Sequence, residues 1–254
     1  MTDCRPAANP LWRAYEVLVM VFGLGLMAFL CVVWLPCALI LKPLLPAATG
    51  VRWGRRAIMG GARGYLRVLE LACAFRFDLD ELDCLRDEPP LIIVANHPSR
   101  LDAVLILSRL PNAVCVMKAT LMDNILFGAA VRLARYISNH PPLAMILEAR
   151  DELHAGGHLL IFPEGTRTVN FPVDRCTAST GLIASRSGVP VQTLLVEMST
   201  PYLGKAWPLL RPPQLPLHCR VRVGRRFPPP TDVAAFTGEL DAYFLAQLAP
   251  TATA

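Results

Sequence analysis

The sequence lacks the residue patterns of several common functional sites. Its eight cysteines are scattered, form no CxxC pair and have no histidine at metal-ligand spacing, a pattern that argues against a metal site or a catalytic cysteine. Helix-turn-helix and aromatic RNA-binding signatures are also missing. We interpret the cysteines as buried free thiols, and we expect no metal, no bound cofactor and no nucleic-acid partner.

Charged residues are absent from one long stretch near the N-terminus, residues 17–41. An apolar run of this length is sufficient to cross a bilayer. A secretory signal is an alternative, but this run exceeds the usual signal core of about 7 to 15 residues. A bent or re-entrant hairpin also stays open, because the run contains Gly23, Gly25 and Pro36.

Acidic residues are also absent just after this run. Six basic residues follow before Glu70, namely Lys42, Arg52, Arg55, Arg56, Arg63 and Arg67. Anionic lipid headgroups attract such a segment, and the positive-inside rule places it in the cytoplasm. We predict a membrane anchor over residues 1–50 and a single domain over 51–254 that begins with a basic helix and lies on the cytoplasmic face of the inner or plasma membrane.

The remainder alternates apolar runs with helical patterns. An amphipathic helix is predicted over residues 52–73, lying either on the membrane or as an ordinary packed surface helix. Strands are predicted at 75–79, 91–95, 113–117, 158–162, 189–196 and 217–223. Further helices are predicted at 99–109, 121–135, 143–155, 177–187 and 232–248. This order predicts an α/β fold with a mostly parallel sheet flanked by helices, whose ligands gather at the carboxyl ends of the strands.

Two titratable residues follow the strand predicted at 91–95, in the motif NHPSRLD at residues 96–102. Pro98 favours an extended His97 followed by a helix, so the His97 ring can turn back toward Asp102. A carboxylate on one ring nitrogen leaves the other free to act as a general base. The alternative is a structural helix cap.

A second polar motif, FPEGTR at residues 162–167, follows another predicted strand. Gly165 permits a tight turn, and the Arg167 guanidinium is suited to bidentate phosphate recognition. The alternative is a turn closed by an ion pair between Glu164 and Arg167.

In this order and spacing, the two motifs resemble those of the glycerolipid acyltransferase family typified by 1-acylglycerol-3-phosphate acyltransferase. The HX4D signature matches His97 and Asp102, and the FPEGTR signature matches residues 162–167. The resemblance spans about residues 91–196. It implies an α/β acyltransferase that uses a CoA or acyl-carrier-protein thioester as co-substrate, with the lipid bilayer, a lysolipid acceptor and acyl carrier protein as expected partners.

The resemblance also implies residue roles. His97 deprotonates the acceptor hydroxyl and Asp102 orients His97. The acceptor is bound by Glu164, Gly165, Thr166 and Arg167, with Arg100 and Lys118 as weaker candidates.

Two positions depart from the family pattern. The family usually carries an arginine after the strand that follows the second helix, but here this stretch reads YISNH, residues 136–140. The basic stretch that usually follows EGTR keeps only Arg175. These positions normally help to bind the acceptor phosphate. We therefore hypothesise that the acceptor is not lysophosphatidate but a lyso-aminolipid, or a hydroxyl of a specialised lipid or polyene product.

The sequence thus predicts a membrane-bound O-acyltransferase of phospholipid biosynthesis. A lipid or thioester hydrolase would need the same His97–Asp102 pair, with water as the acceptor. A non-catalytic membrane-binding protein with this fold is the other alternative.

Overall fold

The structure is a computed structural model that describes residues 9–125 and 128–249. It opens with two long helices, α1 (Pro10–Leu44) and α2 (Ala47–Ala72). The two helices are antiparallel, because the Tyr15 hydroxyl at the start of α1 donates to the Ala72 carbonyl at the end of α2. Among the described residues, only α1 is long and apolar enough to cross a membrane, with a mean hydropathy of 2.7.

Helix α1 runs without interruption through Pro36, so the bent hairpin within the apolar run is not observed. The chain reverses later, at Leu45 and Pro46, where the backbone is extended between the two helices. Proline 46 supports this stop because it disfavours a helical conformation in the residue before it.

A seven-stranded sheet forms the centre of the domain, in the order β1-β7-β6-β2-β5-β3-β4. The strands are β1 (Phe75–Asp78), β2 (Ile92–Ala95), β3 (Ala113–Met117), β4 (Ile137–Ser138), β5 (His158–Ile161), β6 (Val191–Met198) and β7 (Leu217–Phe227). Every neighbouring pair is parallel except β6 and β7. The predicted α/β class with a mostly parallel sheet is therefore confirmed.

Six further α-helices surround the sheet: α3 (Asp102–Leu107), α4 (Ala119–Met122), α5 (Gly128–Leu133), α6 (Pro142–His154), α7 (Ser179–Ser187) and α8 (Val233–Leu248). A 3₁₀ helix spans Asp80–Leu85. Helices α6, α7 and α8 contact one another in succession, whereas α2 contacts α3 and α5. These two groups cover opposite faces, as right-handed crossovers in both directions along the sheet require.

Several predicted boundaries were wrong. The helix predicted over 99–109 begins only at Asp102, because Ser99 and Leu101 form a turn in which the Leu101 amide donates to the Ser99 hydroxyl. The helix predicted over 121–135 comprises two short helices, α4 and α5. Strand β4 was missed because two residues are too few to show a periodic pattern.

The amphipathic helix predicted over 52–73 lies within α2, and its arginines have two different environments. Arg55 is buried and pairs with Glu152 of α6 at 2.7 Å. Four others are exposed at spacings of four and seven residues, which places them on one face of the helix: Arg52, Arg56, Arg63 and Arg67. Helix α2 is thus packed into the domain and exposes a basic stripe. The division at residue 50 stays a prediction.

Asn96, the first residue after β2, continues the hydrogen bonding between β2 and β6 through its side chain. The Asn96 side chain donates to the Val196 carbonyl at 2.9 Å and accepts from the Val196 amide at 2.8 Å. Asn96 is buried, so both polar ends of its amide are satisfied away from water.

Candidate active site

The two sequence motifs meet because their strands are neighbours. Strands β2 and β5 pair in parallel, with Val94 opposite Ile161. The loops that follow them, residues 96–101 and 162–178, therefore leave the sheet at the same edge. The structure brings His97, Asp102 and the FPEGTR segment into one site.

His97 and Asp102 form a hydrogen-bonded pair. His97 Nδ1 lies 2.9 Å from Asp102 Oδ2, and the Ser99 amide donates to the same oxygen at 2.8 Å. The His97 side chain is 19% exposed, whereas that of Asp102 is fully buried. The pair thus presents one ring edge to the carboxylate and leaves part of the ring accessible.

Burial raises the pKa of Asp102 above its ordinary value, while the hydrogen bond from His97 opposes this rise. Asp102 Oδ1 is buried and has no hydrogen-bond partner among the described residues. The carboxylate is therefore held by His97 and Ser99 on one oxygen only. Such a group orients the imidazole and stabilises its charged form.

Phe162 contacts the face of the His97 ring. The two ring centroids are 3.9 Å apart and the planes differ by 16°. Phe162 was assigned no role beyond its place in the motif. The available signal for this contact was an aromatic residue directly after β5, because β5 pairs with the strand that precedes His97.

Glu164 is buried at the centre of the loop. Its Oε1 atom accepts hydrogen bonds from the His97 amide at 2.7 Å and the Thr168 hydroxyl at 3.0 Å, and Oε2 accepts from the Asp174 amide at 2.9 Å. Burial raises the pKa of Glu164, and these hydrogen bonds oppose the rise. Its predicted ion pair with Arg167 is not formed, so the simple closed-turn alternative does not describe this loop.

Gly165 and Thr166 form the tip of the same turn. Gly165 has a φ of +67°, and its amide donates to the Phe162 carbonyl at 3.0 Å. Glycine adopts this left-handed conformation without the steric cost that a side chain brings. Gly165 is exposed and Thr166 is partly exposed, so both are accessible from the site.

Arg167 and Arg100 place two positive charges beside the pair. Arg167 Nη1 donates to the carbonyls of Leu203 and Gly204, at 3.0 and 2.7 Å. Burial lowers the pKa of Arg167, and the charge of Arg100 lowers it further. Neither guanidinium has a carboxylate ion-pair partner among the described residues. The local excess of positive charge suits an anionic ligand.

The other candidates lie farther along the same edge. Lys118 is exposed at the end of β3, which is separated from β2 by β5. The Asn139 side chain at the end of β4 accepts from the Ala119 amide at 3.2 Å, and His140 beside it is exposed. No hydrogen bond in the described parts of the chain links Lys118 to His97, so its role stays a prediction.

A cavity of about 310 Å³ opens next to Asn96 and Pro98, the chain neighbours of His97. Its lining is mixed, with the apolar side chains of Phe171, Val196, Met198 and Leu248 beside polar residues such as Glu197 and Ser199. The cavity therefore offers an apolar surface within reach of the loop that carries His97. No cluster of metal-ligating side chains occurs within residues 9–125 and 128–249.

Comparisons with known proteins agree with this geometry. Residues 76–197 match the family model described as Acyltransferase, and this range contains both motifs. The fold is similar to the crystal structure of the 1-acyl-sn-glycerophosphate (LPA) acyltransferase PlsC from Thermotoga maritima, with a TM-score of 0.58 and 18% sequence identity over 93% of this chain and 97% of that chain. A comparison with curated proteins gives no match. Residues 76–197, which contain both motifs, thus form an acyltransferase domain, and the chain is an acyltransferase.

Proposed function

We propose that the protein is a membrane-bound O-acyltransferase that moves a fatty acyl group from a CoA or acyl-carrier-protein thioester to the hydroxyl of a lysophospholipid or related lipid. The observation that carries this proposal is the 2.9 Å contact between His97 Nδ1 and the fully buried Asp102. It fixes the ring with Nε2 as the atom available to the substrate.

In the proposed reaction, His97 Nε2 removes the proton of the acceptor hydroxyl while the hydroxyl oxygen attacks the thioester carbonyl carbon. The new C–O bond forms, and the C–S bond then breaks. The sulfur leaves as a thiol, taking the proton from the imidazolium. Asp102 stays ionised and stabilises the imidazolium during the transfer.

The proposed acceptor site comprises Gly165, Thr166, Arg167 and Arg100 at the positive end of the site, with Lys118 as an outer candidate. The arginine that the family usually carries after the strand following the second helix is absent here, where the chain reads YISNH over residues 136–140. The acceptor phosphate would therefore meet fewer fixed charges, which supports an acceptor other than lysophosphatidate. Asn139 is also engaged by the Ala119 amide.

The acyl chain is proposed to lie along the apolar side chains of the cavity beside Pro98. Replacing Met198 by tryptophan would fill part of it. We expect Met198→Trp to shift the preference toward shorter acyl thioesters, measured as the ratio of kcat/KM values for a short and a long donor. An unchanged ratio would place the acyl chain elsewhere.

The proposed membrane attachment rests on α1. Its exposed apolar side chains include Leu18, Val21, Phe29 and Ile40, and only 17% of its most apolar window is buried. The basic stripe of α2, Arg52, Arg56, Arg63 and Arg67, would then face anionic headgroups at the cytoplasmic surface. Replacing Arg52, Arg56 and Arg67 by glutamine should weaken the salt-sensitive part of vesicle binding and leave the α1-dependent part in place.

The direct test supplies labelled acyl-CoA or acyl carrier protein thioesters to the detergent-purified protein, with a panel of lysolipids. We compare wild type with His97→Ala, and use His154→Gln as the matched control because His154 ends α6 at the opposite edge of the sheet. An acceptor-dependent product lost only in His97→Ala supports the proposal. Thioester cleavage without an acceptor would indicate the hydrolase, and activity retained by His97→Ala would exclude His97 as the base.

A further inference from the structure

We propose that Glu164 is a positioning residue that fixes the backbone of His97; this inference rests on the proposed function, in which His97 is the general base. The family resemblance instead places Glu164 among the residues that bind the acceptor. The two roles predict different kinetic effects.

The peptide groups of His97 are held by the neighbouring loop. His97 lies between β2 and α3, outside either element. Its amide donates to Glu164 Oε1 at 2.7 Å, and its carbonyl accepts from the Thr168 amide at 2.8 Å. Both backbone polar groups of His97 are therefore satisfied by the loop that contains Glu164.

Glu164, Thr168 and His97 form a closed cycle of hydrogen bonds. The Thr168 hydroxyl also donates to Glu164 Oε1 at 3.0 Å, so Glu164, Thr168 and His97 are each bonded to the other two. Thr168 is 1% exposed and Glu164 is 7% exposed. A buried cycle of this kind fixes the distance between the two loops.

Both oxygens of the Glu164 carboxylate already accept hydrogen bonds within the chain. Oε2 accepts from the Asp174 amide at 2.9 Å, so both oxygens are used by donors of the chain. With so little of the side chain exposed, an acceptor would have to displace these contacts to reach it. Burial raises the pKa of Glu164, and the three donors favour its charged form.

Substitutions of Glu164 and of Thr168 separate the two roles. Glu164→Gln keeps the shape but replaces one accepting oxygen by an NH₂ group, which opposes either the two donors on Oε1 or the single donor on Oε2, and the remaining amide oxygen is a weaker acceptor than a carboxylate. We expect kcat to fall about 10- to 100-fold, because small displacements of a base are costly, while KM for the acceptor changes by less than about twofold. Glu148→Gln, an exposed glutamate on α6, is the matched control.

Thr168 provides a second test that leaves Glu164 in place. Thr168→Val removes the hydroxyl at similar volume, and Thr168→Ser retains it. We expect Thr168→Val to lower kcat and Thr168→Ser to restore most of it. An increase in KM for the acceptor at unchanged kcat, in Glu164→Gln, would overturn the proposal in favour of acceptor binding; unchanged kcat and KM would also overturn it.

Hydrogen exchange of the His97 amide gives a readout that does not need turnover. Glu164→Gln should exchange this amide at least about tenfold faster than wild type or Glu148→Gln, since a weakened acceptor opens more readily. Equal exchange rates would overturn the positioning role. If wild type transfers no acyl group, the proposed function fails, while the exchange rates still decide whether Glu164 holds His97.

Discussion

The imidazole of His97 lies flat on the ring of Phe162, with centroids 3.9 Å apart and planes that differ by 16°. One face of the base is therefore covered, and its Nδ1 edge is held by Asp102. The stacking and the hydrogen bond restrict two different rotations of the ring. Together they define the direction in which Nε2 can take a proton.

Replacing Phe162 tests the stacking contact. We expect Phe162→Leu to lower kcat about tenfold, because leucine keeps an apolar contact but cannot lie parallel to the imidazole. The measurement is steady-state acyl transfer over a range of acceptor concentrations. Phe77→Leu on β1, three strands from β2, is the control, and equal effects of the two substitutions would contradict a specific role for the stack.

Asp102→Asn should separate activity from stability. We expect at least about a thousandfold loss of kcat, since an amide does not stabilise the imidazolium. The melting temperature should rise, because burial raises the pKa of Asp102 and its charged form therefore disfavours folding at neutral pH.

This gain in stability has a defined pH dependence. The unfavourable charge is absent below the ordinary carboxyl value of 3.8 and grows as the pH rises through the higher pKa of the folded state. The difference in melting temperature between Asp102→Asn and wild type should thus be largest at high pH and shrink as the pH falls toward 3.8. A difference that grows toward low pH would show that the carboxylate stabilises the fold.

Gly165→Ala tests the left-handed turn at the tip of the FPEGTR loop. A φ of +67° costs a residue with a side chain about 1 kcal/mol. An added Cβ would meet Thr177 at an ordinary 3.7 Å, so strain of the backbone is the expected cause of any loss. We expect slower acyl transfer and a small decrease in the free energy of unfolding.

Gly60→Ala is the matched substitution for Gly165→Ala. Gly60 lies within α2, and there is open space where an added Cβ would lie. Alanine should therefore raise the free energy of unfolding by up to about 1 kcal/mol. Activity should not change. Destabilisation in both variants would indicate that the φ of Gly165 is not the cause.

Arg55→Met tests the attachment of α2 to the domain. Arg55 donates to Glu152 at 2.7 Å, Asn112 at 2.8 Å and the Ala134 carbonyl at 3.1 Å. Removing one partner from a mostly buried ion pair should cost about 3 kcal/mol of unfolding free energy. The exposed neighbour Arg56→Met should cost little, and equal losses in chemical denaturation would contradict a buried anchoring role.

The strands and the pairing of the two motifs were largely predictable from sequence. Strand β3 was predicted with the correct ends because Pro111 and Asn112 precede its apolar run and Lys118 follows it. The two loops were expected at one edge because parallel strands share their carboxyl ends. The antiparallel direction of β7 was not predicted, since the alternation of its side chains is the same in either direction.

The contacts inside the site were less predictable. The pairing of His97 with Asp102 follows from neighbouring positions in the chain, but the contact between Glu164 and the His97 amide joins residues 67 positions apart. The same applies to the Leu203 and Gly204 carbonyls that accept from Arg167. Such contacts depend on how separate loops pack, which residue type and spacing alone do not specify.

The side chain of Asn96 substitutes for a peptide group. Through its amide it gives β6 the donor and the acceptor that another residue of β2 would have supplied at Val196. The chain can therefore depart from the sheet at once, without leaving an open ladder behind it. The residues after Asn96, His97 first among them, are therefore free of sheet geometry, while the sheet beneath them keeps its hydrogen bonds.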